Sequence, residues 1–147
     1  MPESSANQLV NALRVLQTAL DHHDASVSAA QSLGRSDWRC LRWLVEEGPR
    51  SPGAIQRYLG LTSGSVTALL DRLEKRGFIV RCADPADRRA LSIEPSGSAK
   101  RLVEDAAVPL DQVMHKLTVR WGTDRSSATG QACRDLAKLV DWAAQRA

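Results

Sequence analysis

Residues 61–95 read LTSGSVTALLDRLEKRGFIVRCADPADRRALSIEP, and this stretch decides the fold. Thr62 is a good helix N-cap, because its hydroxyl can accept a hydrogen bond from a free amide of the first helical turn. Apolar residues then recur at helical spacing and must face a core. These residues are Val66, Leu69, Leu70 and Leu73. Because Gly77 is typical of the position just after a helix, the stretch predicts an amphipathic helix over residues 63–76.

A charged β-hairpin is predicted directly after this helix. Residues 78–82 alternate in the manner of a strand. Residues 84–87 (DPAD) have turn chemistry, and residues 91–93 alternate again as a return strand. Arg88 and Arg89 lie between the turn and the return strand. A helix followed by a hairpin tipped with arginines is the layout of a winged helix.

The preceding residues supply the rest of a helix-turn-helix. Ser36 is predicted to cap a helix whose apolar face includes Trp38. Ser51 and Pro52 then provide the cap and first residue of a short helix. Gly60 permits the left-handed backbone that a tight turn requires. The predicted order is therefore helix, helix, turn, helix and hairpin.

Long amphipathic helices are predicted on both sides of this region. Residues 5–8 form the capping box S-x-x-Q and open a helix with helical potential to Leu33. Pro95 is predicted at the first position of a second long helix, with a kink just before Pro109. A last helix follows the turn at residues 121–124. The first helix and the last two helices together carry more apolar surface than a small winged domain can cover, which favours a dimer. The alternative for the first helix is packing within one subunit.

The sequence LTSGSVTALLDRLEKRGFIVR, followed by DPADRRALSIEPSG, resembles the MarR (multiple antibiotic resistance regulator) family of bacterial transcription factors. The wing pattern of that family is D-x-D-R-R, a strand and L-T-x-x-G. This chain has DRR at residues 87–89 and IEPSG at residues 93–97. The resemblance extends backward through residues 33–44 (LGRSDWRCLRWL), and with the helical arms it covers nearly the whole chain.

The resemblance implies a mainly α fold with a small β-hairpin. The chain is expected to form a single domain over residues 1–147. A winged helix-turn-helix would occupy about residues 36–94, between dimerisation helices at about residues 5–33 and 95–146. Such a protein is expected to act as a homodimeric, sequence-specific regulator of transcription, with repression favoured over activation.

The exposed face of the predicted helix is suited to double-stranded DNA. Short side chains lie at its N-terminal end, where a reading helix meets base edges, and cations lie at its C-terminal end, near phosphates. The candidate DNA-binding residues are Ser63, Ser65, Thr67, Ala68, Arg72, Lys75, Arg76, Arg88 and Arg89. By the family pattern, Arg89 enters the minor groove, Asp87 braces it by an ion pair, and Arg88 meets phosphate. Two-fold symmetry implies a pseudo-palindromic operator.

The charge distribution supports a nucleic-acid partner. The chain has a net charge of only +3 and a pI of about 9.0. Between Arg72 and Arg101, however, eight Lys or Arg stand against four Asp or Glu. A local positive patch on a near-neutral body is typical of a site-specific polyanion binder. The alternative is an ordinary solvated face.

Other features narrow the class of protein. No signal peptide and no apolar run of about 18 residues is recognisable, so a cytoplasmic protein without membrane contact is expected. Cys40, Cys82 and Cys133 lie far apart, which fits buried thiols in a reducing compartment. No motif for a metal, a cofactor or an enzyme is present: there is no P-loop, nucleophile elbow or H-E-x-x-H.

No motif in the sequence shows how the protein is regulated. The family resemblance suggests a small, often aromatic, anionic effector in a crevice between the dimerisation helices and the DNA-binding lobe. His22, Trp38 and Arg39 are candidates to line it, although a core position is favoured over a ligand contact for Trp38. One alternative is a thiol-based redox regulator, although the first helix lacks the early cysteine that some members use. Another is a winged helix that binds only proteins.

Overall fold

The protein is described from a computed structural model covering residues 4–83 and 91–144, with the backbone alone for residues 141–144. The elements are α1 (Ser5–Ala30), α2 (Arg35–Glu47), α3 (Pro52–Leu59), α4 (Ser63–Lys75), β1 (Ile79–Ala83), β2 (Leu91–Pro95), α5 (Gly97–Trp121) and α6 (Thr123–Ala144). The chain divides into two compact units, residues 1–105 and residues 106–147. The predicted fold class, mainly helical with one antiparallel hairpin, is confirmed.

The apolar stripe of α4 lies in the core of the first unit. Each of its four residues is at most 3 % exposed. Helix α4 contacts α2, α3 and β1. The largest fully buried side chains of these neighbours and of β2 are Leu41, Leu44, Ile55 and Ile93. Because burial of aliphatic side chains drives folding, this stripe fixes which face of α4 is left to solvent.

The ends of α4 follow the predicted caps. The Thr62 hydroxyl accepts a hydrogen bond from the Ser65 amide at 3.3 Å. Gly60 has a φ of 66° in the turn before the helix, and Gly77 has a φ of 72° after it. The Phe78 amide donates to the Leu73 carbonyl at 2.9 Å, which closes the helix end in the usual left-handed manner.

The two strands pair in register from Ile79–Pro95 to Ala83–Leu91. Arg50 joins their edge through an isolated bridge to Ile93, in which each amide donates to the other residue's carbonyl. The hairpin is therefore anchored to the segment that precedes α3. The predicted turn at residues 84–87, together with Arg88 and Arg89, lies outside the described residues.

Three helix ends in the first unit differ from the predictions. Ser4, not Ser5, caps α1, because its extended backbone directs its hydroxyl to the Asn7 amide. Helix α1 ends at Ala30 rather than Leu33, since the Leu33 amide turns back to the Ser28 carbonyl and its side chain is buried. Gly34, not Ser36, precedes α2, where the Asp37 carboxylate accepts from the Gly34 amide at 3.4 Å.

The start of α5 also differs from the prediction. Pro95 is the last residue of β2, paired with Ile79, and the helix begins at Gly97. The Ser96 hydroxyl accepts from the Ala99 amide at 3.3 Å, so Ser96 performs the capping expected two residues earlier. Helix α5 runs through Pro109 to Trp121, and the kink stays a prediction. The turn predicted at residues 121–124 is confirmed only at Gly122, whose φ is 79°, because Trp121 ends α5 and Thr123 begins α6.

Candidate DNA-binding surface and adjoining cavity

The N-terminal half of α4 presents short polar side chains to solvent. Ser63, Ser65, Thr67 and Ala68 are all exposed, as predicted from the helical repeat. The Thr67 hydroxyl donates to the Ser63 carbonyl at 3.0 Å. The Ser65 and Thr62 hydroxyls lie 2.9 Å apart. These short bonds hold the hydroxyls close to the helix while leaving oxygen lone pairs for a partner.

The three predicted helix cations have different surroundings. Arg72 donates to the Asp37 carboxylate, with Nη2 2.8 Å from Oδ1. Arg76 donates to the Gln31 carbonyl at 2.6 Å and to the Ser32 carbonyl at 2.9 Å. Lys75 is exposed and makes no hydrogen bond or ion pair with another residue of the described part of the chain. Lys75 is thus the cation of this set that is available to a phosphate.

Arg81 was not predicted as part of this surface. Its Nη2 lies 2.6 Å from Oδ1 of Asp71, and its Nε lies 3.5 Å from Oε2 of Glu74. These ion pairs link β1 to α4. Acidic residues in the predicted helix and an arginine in the next strand could have indicated an ion pair from the sequence. The register of the strand, however, decides which carboxylates Arg81 contacts. The wing residues Asp87, Arg88 and Arg89 lie outside the described residues.

A cavity of about 520 Å³ lies where α1 meets the first turns of α2. It is lined by Gln17, Asp21, Asp24, Arg35, Ser36, Trp38 and Arg39. Two predicted effector residues, Trp38 and Arg39, thus lie together. His22 lines a separate groove of about 340 Å³ on α1, because it points away from neighbouring Asp21 on the helix.

The walls of this cavity combine a buried aromatic residue with paired charges. Trp38 is buried, and its Nε1 donates to Asp24 at 2.9 Å. Asp24 also forms an ion pair with Arg42 at 2.8 Å. Asp21 forms a longer ion pair, at 3.9 Å, with exposed Arg35. The Arg39 guanidinium lies 5.5 Å from the ring centre of Tyr58, within range of a cation–π contact. Trp38 is therefore both a core residue and a cavity wall.

The thiols differ from one another in their surroundings. Cys40 is fully buried, and burial, with the nearby charge of Asp37, raises its pKa to about 12. Partial burial and the charge of Glu94 raise the pKa of Cys82. Both shifts disfavour the reactive thiolate. The prediction that all three thiols are buried is confirmed for Cys40, holds only in part for half-buried Cys82, and is wrong for exposed Cys133.

Two further features concern residues 4–83 and 91–144, namely clusters of metal-binding side chains and membrane-spanning helices. No three His, Cys, Asp or Glu side chains in these ranges come together as a metal site would require. No helix in these ranges combines the length and apolar character needed to cross a bilayer.

Comparison with known proteins places this geometry in a family. Residues 31–90 match the model of the MarR family. The chain is 40% identical over 112 residues to the HTH-type transcriptional regulator YcgE of Bacillus subtilis. The aligned region covers 75% of this chain and 70% of YcgE. The fold resembles a MarR family protein from Bacillus stearothermophilus, with a TM-score of 0.77 at 19% identity over 96% and 99% of the chains. It also resembles NadR in complex with 4-hydroxyphenylacetate, with a TM-score of 0.63 at 22% identity over 94% and 96%.

The helix-turn-helix, the hairpin and the flanking helices define a winged-helix DNA-binding protein. The chain belongs to the MarR family of transcriptional regulators, and its relatives are regulators rather than enzymes.

Proposed function

We propose that the protein is a homodimeric repressor that binds a pseudo-palindromic operator and is released by a small ligand. One observation carries the DNA-binding mode: α4 buries its whole apolar stripe and turns its short polar residues outward. A helix that reads the major groove needs this division, because bulky side chains would hold the backbone away from base edges. Ser63, Ser65, Thr67 and Ala68 are the proposed reading residues, and Lys75 a phosphate contact.

The proposed dimer is supported by apolar side chains that the single chain leaves in solvent. On α1 these are Leu9, Val10, Leu13, Val15, Leu16 and Leu20. On the second unit they are Val108, Val113, Met114, Val119, Leu139 and Val140. Apolar surface on this scale in a small protein marks an interface. We therefore assign residues 5–30 and the helices after β2 to dimerisation, and residues 35–95 to the winged helix-turn-helix.

Repression is the proposed outcome because a dimer spanning two half-sites covers the DNA that a polymerase needs. The adjoining cavity supports control by a ligand. Its volume is within the range of small-molecule sites, and its wall includes the cations Arg35 and Arg39. A small aromatic carboxylate is the ligand class that these groups favour, since a guanidinium binds a carboxylate well. Binding there would favour a form with lower DNA affinity.

The proposed function is tested first by selection of bound sequences from a random duplex library. An inverted repeat with half-sites about one helical turn apart is expected. Arg89→Ala should then weaken binding to the selected duplex about tenfold, because minor-groove arginines read groove width. Unchanged binding would contradict the role given to the wing and to Asp87, which is proposed to brace Arg89.

The ligand is tested with 4-hydroxyphenylacetate and with its neutral alcohol analogue. The carboxylate should release the protein from the selected duplex, and the alcohol should not. Arg39→Gln should lower the response to the carboxylate without changing DNA affinity in its absence. Equal responses to both compounds would contradict an anion site. A reporter gene that falls on expression of the protein supports repression, and one that rises contradicts it.

A further inference from the structure

We propose that Asp37 and Arg72 form a positioning pair that holds α4 in its DNA-reading orientation, with Arg76 as a second tether. In this arrangement the two arginines hold the helix and do not bind phosphate. The inference rests on the proposed function in one respect, that α4 is the helix that reads DNA.

The contact between Asp37 and Arg72 is a two-point ion pair. Nη2 of Arg72 lies 2.8 Å from Oδ1 of Asp37, and Nε lies 3.4 Å from Oδ2. The Asp37 side chain is 8% exposed, and that of Arg72 is 57% exposed. The hydrogen bond and charge of Asp37 raise the pKa of Arg72. If Arg72 moved to a phosphate, it would leave a buried carboxylate without its cation, which is strongly unfavourable.

The second tether supplies a cation to the end of α1. Helix α1 has no basic residue in its last turn, although its C-terminal carbonyls carry partial negative charge. Arg76, which follows α4, donates to the carbonyls of Gln31 and Ser32. Its guanidinium also lies 5.1 Å from the ring centre of Phe78. Arg76 therefore ties the C-terminal end of α4 to the C-terminal end of α1.

Together the two tethers restrain α4 at two successive turns. Arg72 binds the N-terminal turn of α2, and Arg76 binds the C-terminal end of α1. Both contacts lie at the C-terminal half of α4, while the proposed reading residues lie at its N-terminal half. A small rotation at the tethered half would move the reading residues out of register with the bases. Loss of a tether is therefore expected to reduce sequence discrimination more than general attraction to DNA.

Asp37→Asn is the decisive variant because the two interpretations predict different changes in affinity. The substitution removes a negative charge and keeps the side-chain size. If Arg72 binds phosphate, its release from Asp37 should leave affinity unchanged or raise it. If the pair positions α4, affinity for the selected duplex should fall about tenfold, the size of one mismatched base pair. Affinity for a mixed-sequence duplex of equal length should stay within about twofold, since that binding is mainly electrostatic.

Arg72 itself separates charge from geometry. Arg72→Lys keeps the charge but loses the two-point fork, so it should behave like Asp37→Asn if the pair positions the helix. Arg72→Gln should leave the dependence of affinity on salt unchanged, because no phosphate contact is lost. Lys75→Gln is the matched control on the same helix. Because each subunit of the dimer loses one phosphate contact, its salt slope should decrease by about 1.8, twice the contribution of a single contact.

The measurements are binding curves at several salt concentrations, with circular dichroism to verify the fold of each variant. The inference would be overturned if Arg72→Lys bound the selected duplex with wild-type affinity, or if the salt slope decreased by about 1.8 in Arg72→Gln. Unchanged or tighter binding by Asp37→Asn would do the same. If Asp37→Asn does not fold, the two Arg72 variants decide the question. Failure of the wild-type protein to select any sequence would instead refute the proposed function.

Discussion

Asp24 of α1 holds Arg42 of α2 through both of its carboxylate oxygens, each 2.8 Å from Nη1. The oxygen Oδ1 also accepts a hydrogen bond from Nε1 of Trp38 at 2.9 Å. One carboxylate therefore joins a cation and a buried aromatic residue of α2 to the first helix. The same three groups lie at or beside the cavity, so the wall of the proposed ligand site is also a link between helices.

Asp24→Asn is expected to lower the free energy of unfolding by about 2 kcal/mol. The amide cannot neutralise Arg42, whose side chain is 35% exposed beside an Asp24 side chain that is 20% exposed. Urea denaturation at one protein concentration measures the effect, since a dimer's stability depends on concentration. Asp21→Asn is the control, because its 3.9 Å contact with Arg35 is exposed at both ends and should contribute less than about 0.5 kcal/mol. Equal losses in the two variants would contradict this assignment.

Gly64→Ala is expected to stabilise the protein and weaken its binding to DNA. A β-carbon at Gly64 would meet nothing within 4 Å beyond its chain neighbours and the nearby backbone of its own helix, and alanine favours a helix over glycine by about 0.5–1 kcal/mol. Nothing in the described structure requires glycine here, so close approach of DNA to the first turn of α4 is the expected reason for it. Thermal unfolding and binding to the selected duplex measure the two effects.

The matched control for Gly64 is Gly97→Ala, at the exposed start of α5. A β-carbon there would make an ordinary contact of 3.7 Å with the end of Arg101. This variant should leave DNA affinity unchanged. If Gly64→Ala binds the selected duplex as well as the wild type does, DNA does not approach α4 at this position.

Leu13→Glu is expected to shift the protein from dimer to monomer. Leu13 belongs to the exposed apolar stripe of α1, and a carboxylate buried at an interface without a partner is costly. Light scattering coupled to size-exclusion chromatography measures the mass. Asn11→Glu adds the same charge about 200° around the same helix and should leave the mass unchanged. An unchanged mass for Leu13→Glu would exclude this face of α1 from the dimer.

The Cys40 thiol is expected to make stability fall at high pH. Burial raises its pKa from 9.0 to about 12, so the folded state keeps a proton that the unfolded state loses above pH 9.0. This contribution is complete below pH 9.0 and is lost as the pH rises towards 12. The loss approaches about 1.4 kcal/mol per pH unit. Urea denaturation between about pH 8 and 11 should show a steeper fall for the wild type than for Cys40→Ala; parallel curves would contradict it.

The sequence alone determined the elements and the faces of α4. Thr62, Gly60 and Gly77 act within a few residues of themselves, and the apolar stripe needs only the helical period. These features depend on local geometry, which explains why the fold class and the exposure of the proposed reading residues were predicted. The wing contacts of Asp87, Arg88 and Arg89 stay predictions.

Only the tertiary structure decided what the cations and the cavity residues contact. In the sequence, Arg72 and Arg76 are cations at the end of α4 like Lys75. In the structure, however, Arg72 contacts a residue 35 positions away, and Arg76 contacts residues 44 and 45 positions away. His22 and Trp38 both suited a ligand site, but helix geometry and packing put them on different surfaces. A sequence pattern states which side of a helix is exposed. The partner of a long side chain depends on how the helices cross, and that crossing is set by the packing of the whole core.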